Sequence, residues 1–230
     1  MKKIGLIGGM SWESSQVYYK IINEKVREVL GGFHSSKCIM ESVDFAEIEK
    51  LQHKEDWDSL NKIMVDCAKN LENAKADIIV LCTNTMHLCS KEIIKNINIP
   101  FLHIAVATGE KIKEQKISKV LLLGTKFTME KDFFKNILSE DFGIEVIIPN
   151  ERDRKIVHKI IYEELVHGKT NPESKEKYQK IINNSIKNGA QGVILGCTEI
   201  SLLIKSSDIN IPAFDTTRIH AESAVEFALK

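Results

Sequence analysis

Lys3-Ile4-Gly5-Leu6-Ile7-Gly8 is met again as Lys119-Val120-Leu121-Leu122-Leu123-Gly124, so residue 3 falls on residue 119 at an offset of 116. Each hexapeptide is a short, branched-rich apolar run closed by glycine, the pattern of a strand buried on both faces. The following helical stretches match too: Val17, Tyr18, Ile21 and Ile22 fall on Phe133, Phe134, Ile137 and Leu138. Cys82-Thr83 recurs as Cys197-Thr198 at an offset of 115, and Ile97-Asn98-Ile99-Pro100 recurs unchanged as Ile209-Asn210-Ile211-Pro212 at an offset of 112. Any two parallel α/β segments share a branched-rich strand and an amphipathic helix, but that likeness does not produce a repeated Cys-Thr or a repeated tetrapeptide. The chain reads as a duplicated half of about 115 residues, a domain-sized length.

Two further runs, Ile78–Leu81 and Val193–Leu195, complete the set of expected buried strands. Between strands lie helical spacings such as Val17, Ile21, Ile22 and Val26, or Leu60, Ile63, Met64, Cys67 and Leu71. That alternation predicts βαβ units and the α/β class. We expect two pseudo-symmetric halves, 1–115 carrying Cys82 and 116–230 carrying Cys197, each a mainly parallel sheet flanked by helices, with the active site in the cleft between them. The boundary is drawn near Gln115 to Ser118 without a long linker, Gly168–Pro172 reads as a break between two helices, and the terminal helix after Pro212 is free to pack back on the first half.

Composition narrows the partners. Lysine plus arginine equals aspartate plus glutamate at 32 each, so no global positive field gathers nucleic acid or an anionic membrane, and an anionic ligand needs a local site. No apolar run approaches the roughly 20 residues of a membrane span. Ile4 to Met10, after Lys2 and Lys3, is too short and glycine-broken for a secretory signal, which points to the cytoplasm. The five cysteines lack paired C-x-x-C spacing and are expected as free thiols in a reducing compartment.

Cys82 and Cys197 carry the chemistry of this reading. In open parallel sheets ligands bind beyond the carboxyl ends of strands, and both cysteines stand there. Thr83-Asn84-Thr85 and Thr198-Glu199 then suit helix starts, whose free N–H groups and dipole hold a carboxylate and lower a thiol pKa from about 8.5 toward roughly 3.5–7.5. One thiol from each half, facing across a cleft, meets the demand of racemisation: a base removes the α-proton on one face and an acid returns one on the other. The hydroxyls and amide of Thr83, Asn84, Thr85 and Thr198 would stabilise the carboxylate as it gains enediolate character.

At this point the chain resembles the aspartate/glutamate racemase family over essentially its full length. The resemblance rests on Ile4-Gly5-Leu6-Ile7-Gly8-Gly9-Met10-Ser11-Trp12-Glu13-Ser14, Ser42-Val43-Asp44-Phe45, Leu81-Cys82-Thr83-Asn84-Thr85-Met86-His87 and Gly196-Cys197-Thr198-Glu199-Ile200. It implies a cofactor-independent enzyme on a dicarboxylic amino acid, aspartate or glutamate, with neither pyridoxal phosphate nor metal, and a homodimer. It also implies that Cys82 and Cys197 are the acid/base pair, that Thr83, Asn84, Thr85 and Thr198 bind the α-carboxylate, and that the Met10 loop closes one wall. Gln52, in Leu51-Gln52-His53, matches a side-chain-carboxylate position, and Lys169, in Gly168-Lys169-Thr170, is taken as the second such contact. Two cysteines argue against one-cysteine relatives such as the arylmalonate decarboxylases. Hydantoin racemases, maleate isomerases and a binding protein without turnover remain the rivals.

Plainer roles compete at each position. A cysteine at a strand end is most often small packing material, which is how Cys38, Cys67 and Cys89 are read. Cys82, His87 and Cys89 do not form a closed zinc set, and His87 and His103 read as packed or satisfied imidazoles. Gly5, Gly8 and Gly9 lack the G-x-G-x-x-G order of a dinucleotide loop. Glu199 either tunes Cys197 or stabilises a helix start. Lys169 and Gln52 have solvated-surface alternatives, and Trp12 and Glu13 read as loop and cap elements.

Overall fold

The computed structural model describes residues 1–230 and divides them into two compact units, Met1–Ile104 with His220–Lys230, and Ala105–Ile219. The first unit contains β1 (Ile4–Gly8), α1 (Trp12–Leu30), β2 (Cys38–Ser42), α2 (Phe45–His53), α3 (Trp57–Asn73), β3 (Ile78–Leu81), α4 (Ser90–Asn96) and β4 (Phe101–Leu102). After α5 (Ile104–Glu114), the second contains β5 (Lys119–Gly124), α6 (Lys126–Glu130), α7 (Asp132–Glu140), β6 (Glu145–Ile147), α8 (Glu151–Glu163), α9 (Pro172–Lys187), β7 (Gly192–Gly196), α10 (Ile200–Leu203) and β8 (Ala213–Asp215), and α11 (Thr216–Leu229) ends the chain. The two sheets have the same order, β2-β1-β3-β4 and β6-β5-β7-β8, and every pairing is parallel.

The four strands expected from the apolar runs are the two central strands of each sheet. β1, β3 and β7 are buried at every position, and β5 at all but its first residue, because helices cover both faces. In the first unit Ile4, Leu6, Ile78 and Val80 face Tyr18 and Ile22 of α1 and Ala221 and Ala224 of α11. The alternate residues Ile7, Ile79 and Leu81 face Leu60, Met64 and Leu71 of α3. In the second unit Leu121, Leu123, Val193 and Leu195 face Val157, Ile161, Tyr178 and Ile182 of α8 and α9.

The repeated Ile-Asn-Ile-Pro stretch has a structural job in both places. It runs into the last edge strand of its sheet, and the carbonyl of its proline makes a bond to the neighbouring strand: Ile79 N–H donates to Pro100 O at 2.8 Å and Val193 N–H to Pro212 O at 2.9 Å. Proline, without an N–H to offer, is compatible with an edge position of this kind.

The unit boundary differs from the one drawn at 115/116, because α5 and α11 do not stay with the strands before them. Within the second unit, Gly109 of α5 lies so close to the Phe142 ring that a Cβ there would stand 2.5 Å from it. Within the first unit, Ala221, Ala224, Val225 and Ala228 of α11 fill the cluster around Ile4 and Tyr18, and Lys2 N–H donates to Ala228 O at 2.8 Å.

Gly9, between β1 and α1, has φ +94°, and a Cβ there would run into the Val43 backbone carbonyl and amide. Gly9→Ala combines left-handed strain with a backbone clash, and the expected loss of stability is about 3 kcal/mol. A thermal melt within one degree of the parent protein would contradict this account of the turn.

Candidate active site

Each unit places its singled-out cysteine directly after the second central strand, β3 or β7. The carboxyl end of the adjacent strand adds a matching device on each side. Ser11 caps α1 and accepts from Ser14 N–H at 3.4 Å; Thr125 caps α6 and accepts from Thr128 N–H at 3.2 Å. The hydroxyls of each pair also touch, Ser11 with Ser14 at 3.4 Å and Thr125 with Thr128 at 3.2 Å. All four residues are buried. These two pairs escaped the sequence reading; the signal was there in Ser11-x-x-Ser14 against Thr125-x-x-Thr128, provided serine is allowed to stand for threonine.

The two cysteines are close counterparts with a displacement of one residue. Ile4 pairs with Ile78 on β3, and its counterpart Val120 pairs with Gly192 on β7, so the ladder places Gly196 opposite the position of Cys82 and Cys197 one residue farther out. Gly196 has no room for a side chain: a Cβ would stand 2.8 Å from Leu123 O and 3.1 Å from Leu122 Cδ1. Cys82 therefore continues the β3 ladder, its N–H donating to Ile7 O at 2.9 Å, and is fully buried on the α1 and α11 face. Cys197 lies beyond its strand, keeps part of its surface exposed, and packs on the α8 and α9 face.

Neither cysteine is followed directly by a standard α-helix start. A 3-10 turn, Thr85–Cys89, comes first after Cys82, with Asn84 at its head in helical conformation and making no side-chain cap. After Cys197 comes the four-residue α10, headed by Glu199, again without a side-chain cap. The expected lowering of the thiol pKa values is absent in this arrangement. Burial pushes Cys82 far up, and Cys197 is raised well above its ordinary value by burial first and then by the charge and hydrogen bond of Glu199. A helical turn this short sums few peptide dipoles, and desolvation of the thiolate outweighs them.

The Cys197 thiol donates to Glu199 Oε2 at 2.9 Å, so of the two readings of this carboxylate the contact is with the thiol. Behind it the Tyr178 phenol, buried and donating to Val157 O at 3.3 Å, is held well above its ordinary pKa by burial and then by Cys197 and Glu164. Thr198 accepts a hydrogen bond from the Thr217 hydroxyl at 3.1 Å.

Around Cys82, Thr83 is half-buried, Asn84 and Thr85 are buried, and Met10 is buried in the same cluster as Leu81 and Met86. Gln52 is likewise buried, its Nε2 3.0 Å from Met86 Sδ, which brings α2 to the turn that follows Cys82. Lys169 is exposed, after Gly168 in left-handed conformation, with its N–H on Glu164 O at 3.0 Å. Trp12 is the first residue of α1 and is 64% exposed, while Ser11 is the cap. All five cysteines are free thiols.

Three imidazoles stand behind the Cys82 turn. His87 Nδ1–H donates to Thr83 O at 2.8 Å and its Nε2 accepts from Ile104 N–H at 3.2 Å, which fixes a neutral tautomer. His220 Nε2–H donates to Leu102 O at 2.9 Å and its Nδ1 accepts from the Tyr18 hydroxyl at 2.9 Å, with the same result. The His87 ring centroid lies 4.7 Å from His103 and 5.6 Å from His220. Burial is the first cause of a lowered pKa in each, well below the usual value for His87, to about 4 for His103 and to about 3 for His220. No cluster of metal-ligating side chains that could hold an ion is formed by these or other residues.

Paired parallel sheets with a cysteine and a hydroxyl cap at equivalent strand ends define a duplicated thiol-bearing α/β protein, and sequence comparison gives the class. Residues 7–224 match the Asp/Glu/Hydantoin racemase family, and the chain belongs to that family of racemase-type isomerases. Among its relatives, the broad specificity amino-acid racemase RacX of Bacillus subtilis (strain 168) is 26% identical over 173 residues, 74% of this chain and 73% of RacX. The crystal structure of a Yersinia pestis protein assigned to the Asp/Glu racemases superposes with a TM-score of 0.95 at 49% identity, covering 100% of both chains. An aspartate racemase homologue from Pyrococcus horikoshii OT3 does so with a TM-score of 0.88 at 39% identity, again over 100% of both chains. No helix is long and apolar enough to cross a membrane.

Proposed function

We propose that this protein interconverts the L- and D-forms of aspartate and/or glutamate through proton transfer at the α-carbon by Cys82 and Cys197. The observation that carries the reading is the pair of thiols at counterpart strand ends of the two sheets, in a family of racemases. Aspartate is placed first because a similar structure is that of an aspartate racemase homologue. Whichever sulfur is the thiolate takes the α-proton, the electron pair passes into the carboxylate as an enediolate, and the other thiol delivers a proton to the opposite face. The two sulfurs end with exchanged protonation, ready for the reverse reaction.

Thr83, Asn84, Thr85 and Thr198 receive the α-carboxylate in this reading, Met10 walls the site, and Gln52 and Lys169 take the distal carboxylate. Glu199 holds the proton of Cys197 when that residue acts as acid. The buried hydroxyl pairs Ser11/Ser14 and Thr125/Thr128 supply polar walls without charge. The same reading carries a homodimer in the cytoplasm and needs no cofactor.

Incubation with L-aspartate in deuterium oxide tests the function. Exchange of the α-proton together with loss of optical rotation is the expected result; binding without either would leave a sensor or carrier, and turnover of a hydantoin or of maleate alone would move the substrate.

Raised thiol pKa values also set the pH dependence. With both thiols neutral in the free enzyme, the thiolate fraction grows about tenfold per pH unit, so log kcat/KM should climb with a slope near one through roughly pH 6.5–8.5. Glu199→Gln removes the charge beside Cys197 and should move that limb to lower pH. A profile already flat at pH 7 in the parent enzyme would contradict buried, neutral thiols.

A further inference from the structure

Three consecutive residues at the junction of β8 and α11 grip the segment that carries Cys197 at three points. Asp215 Oδ2 accepts from the Ser201 hydroxyl at 2.7 Å, in the turn beyond the cysteine, while its Oδ1 accepts from Thr217 N–H at 3.0 Å and Arg218 N–H at 3.1 Å. The Thr216 hydroxyl donates to Leu195 O at 3.0 Å, on the strand before the cysteine. The Thr217 hydroxyl donates to the Thr198 hydroxyl at 3.1 Å, on the residue that follows it. Thr216 and Thr217 are both buried.

The first two grips tie the strand, the turn and the helix start together. The third is of another kind, since it joins two side-chain hydroxyls, and one belongs to a residue proposed to hold substrate. A threonine hydroxyl has one proton and two acceptor lone pairs. With Thr217 donating into one lone pair, the Thr198 proton is turned away from Thr217 and is available to another acceptor, and a hydroxyl that accepts is a stronger donor. The branched Thr217 side chain, capped through its own N–H by Asp215, has little freedom to withdraw.

We infer that Thr217 is a positioning residue for carboxylate binding: it sets the Thr198 hydroxyl as a donor toward the substrate α-carboxylate. The inference rests on the racemase reading, and its test separates the two. Thr217→Val keeps the shape and removes the donor. Its KM for aspartate, and the Kd read by titration calorimetry, should rise about threefold to tenfold, the effect of one lost hydrogen bond, with kcat changed less. Thr217→Ser, which restores the hydroxyl, should bring both back toward the parent values, and in a Thr198→Val background Thr217→Val should have no further effect.

An unchanged KM and Kd in Thr217→Val overturns the inference while leaving the racemase reading intact. So does an equal rise in Thr217→Ser, or a full effect persisting in the Thr198→Val background, since either assigns the effect to packing. Should Thr217→Val fail to fold, Thr217→Ala, which also removes the hydroxyl, takes its place in the comparison with Thr217→Ser. A parent protein that binds aspartate without exchanging its α-proton removes the racemase reading but leaves the Kd comparison decisive, and one that neither binds nor exchanges removes both.

Discussion

Cys82→Ala and Cys197→Ala should each lower racemisation of aspartate by about 10²–10⁴-fold, the range for loss of one positioned acid or base. In a two-thiol transfer each sulfur serves one face of the carbon, so either removal blocks net inversion in both directions. The double variant should be little worse than either single one, because groups that act as one unit are strongly non-additive. Polarimetry on both enantiomers gives the measurement, with Cys38→Ala as the control for a thiol of intermediate burial that no part of the mechanism uses. Full turnover in either active-site variant would end the proposal that both sulfurs transfer protons. Folding is not expected to confuse the result, since each change trims a single sulfur from a small side chain.

The second large effect is on stability. His87, His103 and His220 are neutral in the folded protein, with pKa values lowered chiefly by burial, to about 4 for His103 and about 3 for His220. In the unfolded chain each returns to about 6.5. As pH falls through that value the unfolded state takes up protons that the folded state refuses, so stability must drop. It is flat above about pH 7.5 and falls below 6.5 by up to about 1.4 kcal/mol per pH unit for each histidine, or about 4 kcal/mol per unit for all three, until the folded-state values are approached. By pH 5 the loss reaches about 6 kcal/mol, a large share of a total of about 5–15 kcal/mol. Urea titrations at half-unit steps from pH 7.5 to 4.5 would show the slope, and His220→Gln should reduce it by about a third. A midpoint that holds steady from pH 7 to pH 5 would contradict a neutral histidine core.

How far the sequence could be read follows the burial of each piece. The central strands β1, β3, β5 and β7 announced themselves because helices cover both of their faces, which demands unbroken apolar runs. The edge strands did not: β2 is Cys-Ile-Met-Glu-Ser with intermediate and exposed positions, and β4 and β8 have two and three residues. The recurring Cys-Thr located both thiols but not the single-residue displacement between them, which depends on ladder register and on the crowding around Gly196. The cap hydroxyls were readable in principle. The imidazole cluster was not, since positions 87, 103 and 220 share no spacing and meet only when α11 lies on β3 and α1. The thiol environment was misjudged because Thr83-Asn84-Thr85 and Thr198-Glu199 look like caps, whereas the chain makes only brief turns there.

The one-residue displacement bears on the energetics of the two directions of turnover. Mirror-image substrates have equal free energies, so the equilibrium constant is unity and the ratio kcat/KM must be identical for L- and D-enantiomers. That identity constrains the quotient alone. With one sulfur sealed within its sheet and the other partly open beside a carboxylate, the proposed two-thiol transfer would divide the small thiolate fraction unequally between them, and the two enantiomers would meet it unequally in the free enzyme. Its individual kcat and KM values should then differ between the enantiomers by the same factor, the tighter-held one turning over more slowly.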